Sequence, residues 1–152
     1  LLDGVEQRLS ERGTDLKRLQ VMYDGVDANV RGGRRALEQA LVHLVTNALE
    51  ANPQTPVQIR VLEVEPGNSL QGVWFGSQNP GKNYIAIEIR DAGPGLSEED
   101  KRHALEPFYS TKFKGRGLGL AIVRSVLQAH HAVMLAENLE PGLRLSVLLP
   151  CA

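Results

Sequence analysis

Asn83-Tyr84-Ile85-Ala86-Ile87-Glu88-Ile89-Arg90-Asp91-Ala92-Gly93-Pro94-Gly95 is the stretch from which the chain is best read. Ile85, Ile87 and Ile89 alternate, so Asn83 to Arg90 is expected to be a strand with one apolar face. The strand runs into a carboxylate, Asp91, and then into glycines and a proline that stop it. A plain turn accounts for those residues. They also suit a loop whose bare backbone a ligand can approach while a carboxylate accepts a hydrogen bond from it.

Outward from this stretch, Val57 to Glu65 repeats the alternation and is expected to pair with it. Between them Glu65 to Lys82 is a loop or hairpin rich in Gly, Asn, Pro and Ser, longer than most connections, and it carries the lone Trp in Gly72-Val73-Trp74-Phe75-Gly76. Trp74 and Phe75 have two readings, an aromatic pair packed under a hairpin or a partner contact. Leu1, Leu2, Val5 and Leu9 recur at helical spacing before Gly13, giving an amphipathic helix ending near Arg12. Asp15 to Tyr23 reads as a strand, and Arg34 opens the most regular helix. Ser97 to Ala104 is a short helix with Ser97 as N-cap and Glu98, Glu99 and Asp100 in its first turn. Leu118 to Ala129 is a further helix, and Ala132 to Glu137 with Leu143 to Leu149 forms a closing hairpin around Glu140-Pro141-Gly142. The order lacks the regular βα alternation of a parallel doubly wound fold, so an α/β sandwich is expected, with helices on one face of a mixed sheet.

The 152 residues suffice for one domain. With 17 Lys+Arg against 18 Asp+Glu, the net charge of -1 gives no broad field for nucleic acid or an anionic membrane, so any bound anion must be held locally. Cys151 has no partner for a disulfide, which is compatible with a reducing cytosol. No apolar run reaches membrane-spanning length. The chain starts mid-pattern at Leu1-Leu2 without Met and reads as a piece of something longer.

Chemistry concentrates in three places. On a helical wheel Leu37, Leu41, Leu44, Val45 and Ala48 share one side, while Gln39, His43, Asn47 and Glu50 line the other, with Val42 and Leu49 close beside them. This stripe is either a solvated face or the wall of a polar site. Asn47 would bring a neutral carbonyl oxygen, a hard donor suited to magnesium beside phosphates. At the second place, Asp91 could accept from the adenine N6 group. At the third, Thr111-Lys112-Phe113-Lys114-Gly115-Arg116-Gly117-Leu118-Gly119-Leu120 leads into a helix. Its glycines free backbone N–H groups at a helix N-terminus, with Lys112, Lys114 and Arg116 adding positive charge, so a phosphate site competes with a merely flexible basic loop. The spacing is neither that of a P-loop nor that of a dinucleotide fingerprint.

Taken together, Leu41 to Ala48 resembles the N box, Asp91 to Leu96 the G1 box, Glu106-Pro107-Phe108-Tyr109-Ser110-Thr111-Lys112 the F box and Gly115 to Leu120 the G2 box of sensor histidine kinases. The order is right and nearly the whole chain is covered. The resemblance implies the catalytic and ATP-binding domain of a two-component kinase: an α+β Bergerat fold, a mixed, mostly antiparallel sheet with helices on one face, and a short lid of the nitrogen-regulator type. Residues 1–12 would be the end of a connector helix, with sensor and phosphoacceptor domains outside the chain.

By the same resemblance Asn47 is the magnesium ligand, Asp91 the adenine reader, and Gly93 and Gly95 the points of close backbone approach. Phe108 anchors the lid, Thr111, Lys112 and Arg116 face the phosphates, and Gly117, Leu118 and Gly119 form the helix end that meets them. Asn47, His43 and Lys112 are the expected catalytic residues. The implied cofactors are ATP and Mg2+. The implied partners are a dimerisation and histidine phosphoacceptor domain and a response regulator, with no nucleic acid, an isolated monomer and a full-length homodimer in the cytoplasm. None of His43, His103, His130 or His131 has the sequence context of a phosphoacceptor. Three features depart from the family pattern. His43 stands where sensor kinases usually have Asn and hydrolysing relatives a Glu base. Gly32-Gly33 replaces a frequent acidic residue, and His130-His131 stands where Gly is common. An ATPase or an anti-sigma-type serine kinase on the same fold, or a degenerate regulatory module, are the competing functions.

Overall fold

The computed structural model describes every residue except 27, 28, 66, 68–71 and 104–116, and the side chains of 117–119 are likewise left aside. The alternating stretch is β4 (Tyr84–Asp91), third strand of a six-stranded sheet. The other strands are β1 (Leu19–Tyr23), β2 (Val57–Val64), β3 (Val73–Phe75), β5 (Val133–Leu139) and β6 (Gly142–Pro150), in the order β1-β2-β4-β6-β5-β3. Only β1 and β2 run parallel; the other neighbours are antiparallel. The expected pairing of Val57–Glu65 with Asn83–Arg90 is present, with Ile59 opposite Ile89 and Val61 opposite Ile87. β5 and β6 close a hairpin in which Leu139 faces Gly142 across a two-residue turn.

Four helices accompany the sheet among the described residues: α1 (Leu2–Glu11), α2 (Arg34–Ala51), α3 (Glu98–His103) and α4 (Gly117–Ala129). Ile85, Ile87 and Ile89 point to the main core with Leu37, Leu41, Leu44 and Val45 of α2 and Val123 and Leu127 of α4. On the opposite face Tyr84, Ala86, Val133 and Leu148 form a small second cluster, where the Tyr84 hydroxyl accepts from the Asn79 N–H at 2.8 Å. Asp91 has the parity of the three isoleucines and so emerges at the strand end on the side of α2.

Two expectations need correction. Only Leu19–Tyr23 of the Asp15–Tyr23 segment is strand. Leu16–Arg18 is a single 3-10 turn because the Asp15 side chain accepts from the Lys17 N–H at 3.0 Å, an N-cap geometry that competes with extension. The long Glu65–Lys82 connection also holds a strand, β3, and it pairs not with its neighbours but with β5 at the far sheet edge. Gly72 and Gly76 bracket β3, and a Cβ at Gly76 would sit 2.5 Å from the Ala132 carbonyl oxygen.

α2 is enclosed on several sides, which explains why Val42 and Leu49 are buried beside its polar stripe. Glu38, only 6% exposed, sits between the Arg34 guanidinium at 2.7 Å and Arg8 of α1 at 3.1 Å. The hydrogen bond from Arg34, with Arg8 adding to it, holds its carboxyl below the usual range against the opposing effect of burial. At the C-terminal end, where no basic residue lies in the last turn, Arg18 donates to the carbonyls of Leu49, Asn52 and Thr55 at 2.9–3.0 Å.

Candidate functional site: a carboxylate and glycine loop against helix α2

The loop after β4 is fixed by contacts to three elements. The Gly93 N–H donates to Asp91 Oδ1 at 2.8 Å, an Asx turn that holds the carboxylate, and Asp91 is 9% exposed. Asn52, just past α2, donates from Nδ2 to the Ala92 carbonyl at 3.2 Å. Gly93 lies against the last turn of α2, where a Cβ would come within 2.6 Å of Ala51 Cβ and 3.0 Å of its carbonyl oxygen. Gly95 has φ +75°, and a Cβ there would stand 2.6 Å from Asn138 Oδ1. Asn138 in turn accepts from the Leu96 N–H at 2.8 Å and donates to the Leu96 carbonyl at 2.7 Å. Both glycines are therefore required by the close approach of Ala51 and Asn138 to the loop.

Asn47 stands one turn before Ala51 on α2, about 6 Å along the axis, and His43 one turn earlier again. The contact of Gly93 with Ala51 thus brings the Asp91 loop and the Asn47 stripe to one end of the same helix. Asn47 and His43 are half-buried, whereas Gln39 and Glu50 at the ends of the stripe are exposed. Burial and the nearby Arg12 charge lower the His43 pKa, so its imidazole is uncharged at neutral pH. α4 begins at Gly117, so Gly117, Leu118 and Gly119 form its first turn, and the helix packs on α2. Phe108, Thr111, Lys112 and Arg116 lie outside the described residues.

The two other departures from the family pattern turn out to be partners. His130, at the end of α4, accepts the Gly33 N–H on Nε2 at 3.0 Å, and its Nδ1 faces the Val126 carbonyl at 2.7 Å. The ring also occupies the space a side chain at Gly32 would need. His131 takes φ +53°, the left-handed conformation for which glycine is common after a helix. With both nitrogens of His130 engaged, the pair does not form a metal site, and no cluster of metal-ligating side chains occurs among the described residues. Trp74 and Phe75 are half-buried against the core; the indole N–H donates to the Lys101 carbonyl of α3 at 2.6 Å, and Arg124 lies over the Phe75 ring at 5.6 Å. The packed reading of the aromatic pair is the one the geometry favours. Asn52, Asn138 and Gly142 escaped the sequence reading, although a hairpin register would have put Asn138 and Asp91 either side of Leu143.

A mixed sheet carrying a buried carboxylate at a strand end, with a glycine loop seated on the asparagine helix, defines a nucleotide-binding class of fold. Residues 32–152 match the family described as histidine kinase-, DNA gyrase B-, and HSP90-like ATPase, and the chain belongs to that family as an ATPase domain of the histidine-kinase type. It is 39% identical over 116 residues to the C4-dicarboxylate transport sensor protein DctB of Pseudomonas aeruginosa, covering 73% of this chain and 17% of that protein. It is 37% identical over 100 residues to the nitrogen regulation protein NtrY of Azorhizobium caulinodans, covering 66% of this chain and 12% of that one. With the sensor histidine kinase CpxA of Escherichia coli it shares 35% over 127 residues, 78% and 24% of the two. The chain therefore spans a quarter or less of the length of these relatives. Among solved structures, the mycobacterial sensor histidine kinase MprB superposes with TM-score 0.72 at 22% identity over 99% of this chain and 93% of that one. The catalytic domain of histidine kinase ThkA gives 0.68 at 23% over 99% and 91%, so the fold is that of histidine kinase catalytic domains.

Proposed function

We propose that the domain binds Mg-ATP at the Asp91 loop and passes the γ-phosphoryl group to a histidine on a separate dimerisation domain, within a longer sensor kinase that signals to a response regulator. The observation that carries this reading is the fixed, nearly buried Asp91 carboxylate, at the head of a glycine loop seated one turn from Asn47. Asp91 would accept from the adenine exocyclic amine, and Gly93 and Gly95 let its loop pack tightly on Ala51 and Asn138, which keeps the carboxylate in place to do so. Asn47 fits magnesium because its oxygen is hard and uncharged. Magnesium, when bound, neutralises phosphate charge during transfer. Lys112, Thr111 and Arg116 would face the phosphates together with the N–H groups at the start of α4, and Phe108 would anchor the segment that carries them. His43, uncharged at neutral pH, would serve as a hydrogen-bonding wall. Asn47, His43 and Lys112 are thus the groups nearest the transferring phosphoryl, where positioning and charge neutralisation account for most of the catalysis.

The acceptor histidine and the dimer contacts would come from sequence preceding α1, which continues as a connector, and the domain itself works as a monomeric unit on the cytoplasmic side. Among the described residues no helix is long and apolar enough to cross a membrane. Calorimetric titration of ATP tests the core of the reading. Asp91→Ala removes a hydrogen bond to a charged acceptor, worth ~1.5–3 kcal/mol, and is expected to weaken ATP binding roughly 10- to 150-fold. Unchanged affinity would remove Asp91 from the adenine site. Equal wild-type affinity with and without magnesium would remove the role of Asn47.

A further inference from the structure

The Asp91 loop has two halves that are held differently. Its first half is tied to its own strand, through the Gly93 N–H on Asp91, and to the end of α2, through the Asn52 amide on Ala92. Its second half, Gly95 to Ser97, leaves the sheet. There Leu96 exchanges two hydrogen bonds with one side chain, receiving from Asn138 Nδ2 at 2.7 Å and giving to Asn138 Oδ1 at 2.8 Å. A carboxamide used this way stands in for the N–H and C=O of a neighbouring strand. Asn138 lies near the end of β5, opposite Leu143, which is itself opposite Asp91, so one transverse row of the sheet joins the carboxylate to the residue that holds the loop behind it. Gly95 passes so close to Asn138 Oδ1 that the amide also sets where the loop backbone runs.

We infer that Asn138 is a positioning residue for base recognition: its amide fixes the Gly93–Leu96 backbone so that the loop and Asp91 meet the exocyclic amine of the base together. This rests on the reading of Asp91 as the adenine contact. Asn138 itself touches neither base nor phosphate. Its loss therefore degrades the choice of base and leaves phosphate binding alone, which a residue that only stabilises the hairpin would not do.

The experiment compares magnesium-dependent binding of ATP and of purine riboside triphosphate, which lacks the exocyclic amine, to the wild type, Asn138→Leu, Asn138→Ser and Asp91→Ala. Leu keeps the size of Asn without polar atoms. Ser, short and polar, reaches at most one of the two Leu96 groups and covers the case in which the Leu variant fails to fold. Loss of one to two neutral hydrogen bonds at the loop predicts a fall of about 3- to 10-fold in the preference for ATP, with affinity for purine riboside triphosphate unchanged. A lowered melting temperature with the wild-type preference intact would overturn the inference, as would equal weakening of both nucleotides. If Asp91→Ala also retains the preference, the adenine reading fails and this inference with it. If Asp91→Ala abolishes it and both Asn138 variants keep it, the inference alone is lost.

Discussion

Gly95 and Gly76 both have positive φ, +75° and +86°, and at each a Cβ would press on atoms of another segment. The stretches they belong to are nevertheless built in opposite ways. Around Gly76 the glycines face the backbone of β5 and of Ala132 just before it, and the short β3 between them carries Trp74 and Phe75 back onto the core. Backbone holds the segment and side chains bury it. Around Gly95 the glycines face α2, β5 and β6, and the holding is done by side chains of other elements, Asn52 and Asn138. What that packing secures is the position of a nearly buried carboxylate, Asp91. Glycines that admit a strand make an edge; glycines that seat a loop beside a carboxylate fix a charged group in place.

The sharpest way to break the comparison is Gly142→Ala. Gly142 has φ +116°, and a Cβ there would overlap the Asp91 carbonyl oxygen and crowd Ala92 Cα, all backbone. Adding the backbone strain to the overpacking gives a loss on the order of 3–5 kcal/mol, read by denaturant unfolding, together with loss of ATP binding in whatever remains folded. Near wild-type stability would mean that the β6 backbone yields and that the site loop is less firmly seated than its contacts imply. Gly76→Ala is the matching change on the other side. It costs about 1–3 kcal/mol through the same two causes, yet ATP affinity in the folded fraction stays at the wild-type value, because β3 holds an edge and no ligand group. A weakened ATP affinity would show that the two stretches are coupled.

One side of this contrast is legible in the sequence of residues 83–95. Period-two alternation gave β4 and its pairing with β2, and the 3.6-residue period gave α2 to the residue at its start, because both signals are local. Asp91, Gly93 and Gly95 stood out for a similar reason: a carboxylate at a strand end followed by glycines is a local pattern. What escaped depends on register. β3 is three residues long, and Val73 pairs with Leu135, on a strand far along the chain. The role of Asn138 follows from which strand lies next to β6. Gly33 and His130 were each visible as oddities, but their hydrogen bond spans 97 positions. The burial of Glu38 depends on Arg8, which arrives from another helix, so α2 alone does not reveal it.

Trp74→Phe makes the smallest and most selective change. It keeps an aromatic ring against the core but removes the N–H that reaches the Lys101 carbonyl in the last turn of α3, one of the carbonyls a helix end leaves without an internal partner. The bond is a neutral one at a half-buried position, so about 1 kcal/mol is lost. In a domain of this size that lowers Tm by roughly 2–4 °C. ATP affinity is expected to stay unchanged, since α3 lies beyond Leu96, where Asn138 already fixes the loop. A Tm equal to the wild type would mean that water serves Lys101 as well as the indole does. A shift in ATP affinity would carry more weight: it would place the β3 edge in communication with the nucleotide loop through α3, and the division between a segment held by its backbone and a loop held by its neighbours' side chains would no longer describe this domain.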